Sequence, residues 1–242
     1  MRYLNLTLAT AAENLALDEA LLDEAESSDQ PAETLRFWEA ERPLVVVGRS
    51  SQLAAEVHQE ACRELQIPVL RRASGGAAVV AGPGCLMYAV VLSLERRPML
   101  RAVGQAHCCV LAMLTAALGP LVPDLKFHGI SDLALGQRKV SGNSLRVKHG
   151  HLLYHGTLLY DFPLELIGRL LTMPPRQPEY RRARPHDAFV ANLPLSAEAI
   201  RRAVASIWDA AEPYPDWPQA RTARLVAEKY GRREWNEQGR SE

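Results

Sequence analysis

Apolar residues recur with two different spacings along the chain, and these spacings predict a mixture of helices and strands. Within residues 13–26, ENLALDEALLDEAE, the leucines line one side of an amphipathic helix while the acids face outward. Residues 102–118 predict a strongly apolar helix. Further helices are expected at residues 56–66, 163–171 and 219–230, and after the capping residue Ser196.

The strand pattern falls into two blocks of short, apolar segments. The first block contains TLRFWEA, PLVVVGRS, PVLRRAS, GAAVVA and CLMYAVVLSL. The second, residues 125–162, carries turn signals around Gly136, Gly142 and Gly150 and predicts antiparallel hairpins. Because helices and strands alternate in clumps, the chain is expected to be α+β, with a mixed, mainly antiparallel sheet flanked by helices. Residues 1–242 are expected to form a single domain.

Composition and charge narrow the function classes. The 242 residues are 48% hydrophobic and 23% charged, and 28 basic residues balance 28 acidic ones. A net charge of zero provides no global field for nucleic acid or an anionic membrane, so neither is an expected partner. The apolar runs are too short to span a bilayer, and no signal peptide is apparent. The four cysteines show no C-x-x-C spacing, and a cytoplasmic location is expected.

The stretch RRASGGAA, residues 71–78, is the first candidate for chemistry. Gly75 and Gly76 carry no Cβ, so the backbone there can approach a ligand closely, and consecutive N–H groups can hold an anion. Arg71 or Arg72 would supply charge to a phosphate or carboxylate. The alternative is a glycine bulge beside two surface arginines.

A second candidate lies in DLALGQRKVSGNS. Lys139 occupies a strand of alternating apolar residues, and a partly buried lysine needs an anionic partner such as a phosphate or a carboxylate substrate. The alternative is an edge-strand lysine that prevents aggregation. Asp132 can supply one carboxylate to a divalent metal, although a lone aspartate is more often a turn residue.

Two further stretches carry polar groups in unusual places. His155 interrupts the apolar strand HLLYHGTLLYD, where it either orients a substrate or is a satisfied structural histidine. Residues 173–193, MPPRQPEYRRARPHDAFVANL, contain four arginines and are called the Arg loop below. This loop is either a mobile lid over an anionic substrate or a solvated basic segment.

Taken in order, these stretches resemble the lipoate–protein ligase A family, within the biotin and lipoate protein ligase superfamily. The resemblance extends from about residue 13 to about residue 236 and includes NLALDEALL, PLVVVGRSSQ, RRASGGAAV, SDLALGQRKVSGNS, HGTLLYD and EKYGRREWN. Its most specific motifs are R-R-x-S-G-G and K-x-S-G followed by H-G-T.

The resemblance implies a fold like the catalytic domains of class II aminoacyl-tRNA synthetases and biotin ligases. It implies that ATP and Mg²⁺ activate lipoate or octanoate to an acyl adenylate. The acyl group then passes to a lysine of a lipoyl carrier domain, in an E2 subunit of a 2-oxoacid dehydrogenase or in the glycine cleavage H protein.

The resemblance also assigns roles to residues. Lys139 is expected to be catalytic, and Asp132 to hold Mg²⁺. The residues expected to bind substrate or adenylate are Arg71, Ser74, Gly75, Gly76, Ala77, Ser141, Gly142, His155, Gly156, Thr157 and Arg182.

The chain departs from the family pattern after the glycine pair. Ala77 replaces a third glycine, and Ala81-Gly82 replace the usual His-Asp. The sequence also stops without the small accessory domain of long ligases, so a separate accessory chain is an expected partner. Two alternatives remain open: an ATP-independent acyltransferase that uses a cysteine such as Cys85, and a non-catalytic binder of acyl or adenylate ligands.

Overall fold

A computed structural model describes residues 1–28 and 32–239, and it confirms an α+β fold. Its strands are β1 (Arg2–Asn5), β2 (Thr34–Trp38), β3 (Leu44–Val47), β4 (Val69–Arg71), β5 (Val79–Ala81), β6 (Cys85–Ser93), β7 (Leu125–His128), β8 (Asp132–Leu135), β9 (Arg138–Val147), β10 (His151–Leu159) and β11 (Glu212–Pro213). Its α-helices are α1 (Ala11–Ser27), α2 (Leu53–Glu56), α3 (Gln59–Glu64), α4 (Val103–Leu118), α5 (Glu165–Leu170), α6 (His186–Phe189), α7 (Ala197–Ile207), α8 (Gln219–Leu225) and α9 (Arg233–Gln238).

The strands form a large and a small sheet. The large sheet has the order β11-β1-β2-β6-β10-β9-β8-β7; its pairs are antiparallel except that β1 runs parallel to both β2 and β11. The small sheet has the order β4-β3-β5, with β4 parallel and β5 antiparallel to β3. This arrangement confirms the predicted mixed, mainly antiparallel sheet.

The large sheet separates two helical layers. Leu152, Tyr154 and Leu158 of β10 point to one face and join the apolar cluster that includes α4 and α7. Leu153 points to the opposite face and packs with Leu17 and other residues of α1. The alternation follows from the two-residue period of a strand. Because β10 is buried on both faces, every residue of this strand is buried.

Most predicted elements are present, with shorter bounds. Residues 138–147 form one continuous strand, so the predicted turn at Gly142-Asn143 is wrong. The cross-strand hydrogen bonds to β10 and β8 override the local turn preference of Gly and Asn. The helix predicted at 219–230 ends in a π-helical turn, Val226–Tyr230, and α9 follows it without having been predicted. No helix in the described ranges combines the length and apolar character needed to cross a bilayer.

Two acids on α1 are buried, contrary to the prediction that its acids face outward. Asp18 accepts a 2.5 Å hydrogen bond from Arg36 of β2, whose side chain is fully buried. The neighbouring Glu19 accepts hydrogen bonds from Lys229, Tyr230 and Arg146. Each carboxylate therefore has a cation that arrives from a distant part of the chain, which is the condition under which a charge can be buried.

The partners of Asp18 also set the direction of its pKa. Burial by itself would raise the pKa of this carboxyl, but Arg36 and the adjacent His155 outweigh burial and lower it. A carboxyl whose pKa is lower in the folded state stabilises the fold above its ordinary pKa, near 4. That contribution is lost as the pH falls below this value.

We expect Asp18→Asn to lower the free energy of unfolding by about 3–5 kcal/mol at neutral pH, because Arg36 would remain buried without a carboxylate. Urea denaturation monitored by circular dichroism measures this change. Between about pH 4 and pH 2, the free energy of unfolding should also fall less steeply in the variant than in the wild type, because residue 18 no longer titrates. Glu198→Gln is the control: its pair with Arg202 is exposed, so stability should hardly change. Equal effects of the two substitutions would contradict this account.

Candidate functional site

A pocket with a cavity volume of about 130 Å³ lies where the small sheet meets β9 and β10 of the large sheet. Most of its wall is apolar, and a few polar groups converge on it. This is the composition of small-molecule sites in general. Its lining residues are Glu56, Ala77, Ala78, Val79, Val80, Lys139, Ser141, Gly142, Thr157, Leu159, Ile167, Leu171, Thr172, Pro174, Arg176, Pro178, Arg181, His186, Phe189 and Val190.

Lys139 is the cation that β9 contributes to this pocket. Its side chain folds back along the strand, so that a Cβ added to Gly142 would lie only 2.8 Å from the Lys139 Nζ. The missing side chain at Gly142 therefore leaves room for the lysine. The Lys139 ammonium lies 2.8 Å from Asp132 Oδ1 and is 28% exposed, so it remains available to a ligand.

Asp132 is buried on β8, and its two oxygens have different partners. Oδ1 pairs with Lys139, and Oδ2 accepts a 2.8 Å hydrogen bond from the Tyr180 hydroxyl. No cluster of three or more His, Cys, Asp or Glu side chains that could hold a metal occurs among the described residues. As arranged, Asp132 does not fit a resident Mg²⁺ site, because the ion would meet the Lys139 ammonium at the same oxygen.

The Gly loop, residues 72–78, connects β4 to β5 at the edge of the pocket. Gly76 has a φ of +86°, in the left-handed region that favours glycine. A Cβ on Gly48 would lie 1.9 Å from the Gly76 carbonyl oxygen, so this loop requires glycine on both sides of the contact. The glycine pair thus serves a tight loop and does not form a bulge within a strand.

The two arginines before the Gly loop turn inward. Arg71 is 1% exposed and donates to the carbonyls of Gly48, Ser51, Trp235 and Glu237. It does not line the pocket, so the geometry gives no support to its predicted contact with substrate. It anchors α9 instead: the Trp235 indole N–H donates back to the Arg71 carbonyl at 2.9 Å.

Arg72 holds the Gly loop through hydrogen bonds to its backbone carbonyls. Its guanidinium donates to the carbonyls of Gly75 and Ala77, at 2.5 and 3.0 Å. Burial lowers the pKa of Arg72 to about 10, which leaves it charged at neutral pH. With these carbonyls turned inward, the backbone N–H groups of Gly75, Gly76 and Ala77 form no hydrogen bond within the described parts of the chain. The three groups belong to exposed residues, as an anion site requires.

Ser74, His155 and Asp18 form a buried polar chain behind the Gly loop. Ser74 Oγ lies 2.5 Å from His155 Nε2, and His155 Nδ1 lies 3.5 Å from Asp18 Oδ2. Asp18 can only accept, so His155 directs an Nδ1–H towards it, and Arg72 donates to Ser74 Oγ at 3.1 Å. None of the three residues lines the pocket. Ser74 and His155 therefore support the Gly loop from its buried side.

The Arg loop forms the outer wall of the pocket. Arg181 and Arg184 place their guanidinium groups 4.7 and 5.3 Å from the centre of the Phe189 ring. Arg181 is 3% exposed and lines the pocket together with Arg176, whereas Arg182 is exposed and does not line it. The geometry therefore favours Arg181 over the predicted Arg182 as a ligand-facing cation.

Gly156 and Thr157 lie next to each other on β10 but serve different faces. A Cβ on Gly156 would lie 2.0 Å from Asn143 Oδ1, so Gly156 makes room for the Asn143 side chain. Asn143 in turn donates to the Ser131 carbonyl at 2.8 Å and accepts from Tyr88. Thr157 faces the pocket, where its hydroxyl accepts from the Gly142 N–H.

The structure thus brings five predicted residues together at one pocket: Lys139, Ser141, Gly142, Thr157 and Ala77. Sequence reasoning missed Tyr180, Arg181, Asp18 and Glu56. Tyr180 and Arg181 lie inside the predicted Arg loop, so that loop was the available signal for them. Asp18 and Glu56 had no such signal, because ordinary helical patterns contain acids of this kind.

The chain is similar to a known family over most of its length. The family model described as the lipoyl protein ligase A/B catalytic domain matches residues 10–205. A putative lipoate-protein ligase A of Aeropyrum pernix is 30% identical over 198 residues, which are 82% of this chain and 70% of that relative.

Other curated relatives carry two kinds of activity in their names. A probable lipoate-protein ligase A of Mycoplasma genitalium is 31% identical over 66% of this chain. The chain spans less than half of that relative, 46% of its length. An octanoyltransferase LipM of Oceanobacillus iheyensis is 28% identical over 74% of this chain and 71% of the relative.

Solved structures confirm the fold. A bipartite lipoate protein ligase of Thermoplasma acidophilum, described with its E2 lipoyl domain, has a TM-score of 0.82, with 21% identity over 100% of this chain and 97% of that one. A lipoate-protein ligase A bound with ATP has a TM-score of 0.77, with 23% identity over 98% of both chains. The predicted fold of the lipoate ligases is therefore confirmed.

We expect Ser74→Ala to lower the free energy of unfolding by about 1–3 kcal/mol, because it leaves a buried imidazole nitrogen without a partner. Hydrogen exchange of the two bonded Gly loop amides, those of Arg72 and Ala78, should accelerate. Ser144→Ala is the matched comparison, since the half-buried Ser144 donates directly to the Gly75 carbonyl without contacting His155. If the two variants had equal exchange rates, His155 would not support the loop.

Proposed function

We infer the function from one premise: the chain belongs to the lipoyl protein ligase A/B catalytic domain family. We propose that it is a lipoate–protein ligase. It joins the carboxylate of lipoate or octanoate to AMP from ATP, and it then transfers the acyl group to a lysine amine of a carrier protein. The observation that carries this proposal is an apolar pocket on whose wall the Lys139 ammonium lies.

The pocket offers separate regions for the two halves of an acyl adenylate. The apolar wall, which includes Val80, Leu159 and Ile167, suits a medium-length acyl chain. The cations Lys139, Arg176 and Arg181 suit the phosphate. The free N–H groups of Gly75 and Gly76 add donors of the kind that hold phosphate oxygens in other loops.

In the first step, a carboxylate oxygen attacks the α-phosphorus of ATP, and pyrophosphate leaves. In the second, the uncharged carrier amine attacks the acyl carbonyl, AMP leaves with the electrons of the acyl–phosphate bond, and the nitrogen loses a proton to solvent. Negative charge increases on the carbonyl oxygen in the second step, and the Lys139 ammonium is the donor assigned to it. Fixed donors of this kind stabilise the transition state more than the ground state.

Magnesium would enter with the phosphates of ATP and shield their charge, as it does in many nucleotide sites. The role of Asp132 as a metal ligand stays a prediction that its contacts with Lys139 and Tyr180 do not favour. His155 is assigned to support of the Gly loop through Ser74.

The proposed acceptors are lipoyl carrier domains, of the E2 subunits of 2-oxoacid dehydrogenases or of the glycine cleavage H protein. The structural neighbour from Thermoplasma acidophilum is described with its E2 lipoyl domain, which supports this class of acceptor. That neighbour is also bipartite, which supports a separate accessory chain for the activation step.

The second candidate function is an ATP-independent octanoyl transfer between carrier proteins, which the LipM relatives favour. Such a transfer through a thioester needs a reactive thiol in the pocket. No cysteine of the described residues lines the pocket. Cys85 is fully buried, and burial raises the pKa of its thiol far above the ordinary value. These observations favour the ligase.

The deciding experiment incubates the protein with lipoate, ATP, Mg²⁺ and an apo lipoyl domain, and a second arm supplies synthetic lipoyl-AMP in place of lipoate and ATP, which bypasses the activation step. We expect AMP release and a carrier mass increase of one lipoyl group. Lys139→Ala should lower turnover by about a hundredfold to a thousandfold, as removal of a transition-state donor does elsewhere. Lys126→Ala is the control, because Lys126 is an exposed lysine on β7 that does not line the pocket. Acylation from octanoyl carrier protein alone, without ATP, would contradict the ligase.

Substitution of Cys85 separates the two candidate functions directly. We expect Cys85→Ala to retain lipoylation within about threefold, because its thiol is too buried to ionise at neutral pH. Intact-protein mass spectrometry during turnover should show no acyl adduct on the wild-type protein. An acyl group on Cys85, together with loss of turnover in the variant, would support the transferase instead.

A further inference from the structure

We propose that Tyr180 is a positioning residue, which holds the Arg loop closed over the pocket by bonding to the same carboxylate that holds Lys139. The proposal rests on the proposed function for its meaning in catalysis, but its structural part does not depend on that function. No role for Tyr180 follows from the family motifs, and its hydroxyl contact appears only in the folded structure.

The contact joins three parts of the chain at one carboxylate. Asp132 comes from β8, Lys139 from β9 and Tyr180 from the Arg loop. The distances from Asp132 Oδ1 to Lys139 Nζ and from Oδ2 to the Tyr180 hydroxyl are both 2.8 Å. Because Asp132 is 5% exposed, water cannot readily replace either partner. A hydrogen bond to a buried charged group is among the stronger ones in proteins.

Tyr180 is well placed to act on the loop as a whole. Its ring packs against His128 at the end of β7 and against Phe189, with centroid distances of 4.9 and 5.1 Å. Arg184 donates to the Tyr180 carbonyl and to the Gln137 carbonyl, so the same turn is also fixed through its backbone. Displacement of Tyr180 therefore moves the guanidinium-bearing wall of the pocket.

The hydroxyl remains a donor under all ordinary conditions. Burial, and then the neighbouring Asp132 charge, raise the pKa of Tyr180 well above its usual value. The loop also contains two residues in left-handed conformation, Arg182 and Ala183, with φ of +51° and +55°. Non-glycine residues adopt this region at a cost, so the closed loop needs compensating contacts. The Tyr180–Asp132 bond is one of them.

Asp132 therefore links Lys139 to the Arg loop. In the absence of ligand, Asp132 neutralises Lys139 and tethers the loop at the same time. The phosphate of a bound acyl adenylate gives Lys139 a second anionic partner, while Tyr180 keeps its hydrogen bond to Asp132. The loop therefore stays closed during the reaction without a ligand contact of its own at Tyr180.

Limited proteolysis tests the structural part on the intact protein without ligand. Trypsin cleavage after Arg176 and Arg182, both exposed, reports the population of the open loop when opening is fast. We expect Tyr180→Phe to raise the cleavage rate by about tenfold or more, because it removes only a hydroxyl that donates to a charge. Tyr160→Phe is the matched control: Tyr160 also donates to a carboxylate, Glu39, but lies outside the loop. Equal cleavage of Tyr180→Phe and wild type would overturn the proposal.

A double-mutant cycle tests whether Tyr180 acts through Asp132. We expect Tyr180→Phe to add no further increase in cleavage when Asp132 is already alanine, since the two substitutions break one bond. Fully additive effects would overturn the coupling. Mg²⁺ alone should not change cleavage of the wild type; faster cleavage would mean that the metal displaces Tyr180 from Asp132 and would also overturn the proposal.

Kinetics tests the catalytic part. With lipoate and ATP, Tyr180→Phe should raise KM in inverse proportion to the remaining closed fraction and change kcat by less than about threefold, because only the competent population falls. Proportional losses in kcat alone would contradict a positioning role. If the protein does not activate lipoate at all, the proteolysis and the cycle still decide the structural part, so the two failures are distinguishable.

Discussion

The site depends on two adjacent buried acids of one helix. Asp18 and Glu19 of α1 each neutralise cations from other elements, and the hydrogen bonds around each acid extend to the Gly loop or to its neighbour Arg71. Asp18 reaches the Gly loop through His155 and Ser74. Glu19 reaches the C-terminal segment through Lys229 and Tyr230. The same segment then meets the loop again through Arg71 and Trp235. Ser74 within the Gly loop and Arg71 just before it are therefore both connected to one turn of α1.

These ion pairs and hydrogen bonds explain how many charged groups are buried although the described residues contain no cluster that could hold a metal. Arg36, Arg71 and Arg72 are all nearly inaccessible, yet only Arg36 pairs directly with an acid. The other two donate to backbone carbonyls of loops and helix ends. Arginine suits this use because its guanidinium carries five donors in a fixed plane. The cationic character of the sequence near residue 71 is thus structural, and the ligand-facing charge comes from Lys139 and Arg181.

The sequence allowed prediction of the α+β architecture and of the pocket residues on β9 and β10, because strand periodicity and motif order are local properties. It did not reveal the inward turn of Arg71, since the carbonyls it meets lie more than 150 residues away along the chain, at Trp235 and Glu237. It placed a turn at Gly142, where the glycine instead makes space for Lys139. It expected exposed acids on α1, because an amphipathic pattern cannot show that a distant cation will neutralise Asp18. The errors at Arg71 and on α1 therefore concern long-range polar contacts, whereas the error at Gly142 concerns strand pairing.

The bond between Arg71 and α9 also bears on the order in which the molecule is made. Proteins emerge from the ribosome from the N-terminus, at about 5–20 residues per second. The strand that carries Arg71 is therefore synthesised well before the carbonyls of Trp235 and Glu237 exist to receive it. Until α9 emerges, the guanidinium lacks these two carbonyls and has the acceptors at Gly48 and Ser51. The start of the Gly loop is thus held fully in place only after α9 has been synthesised.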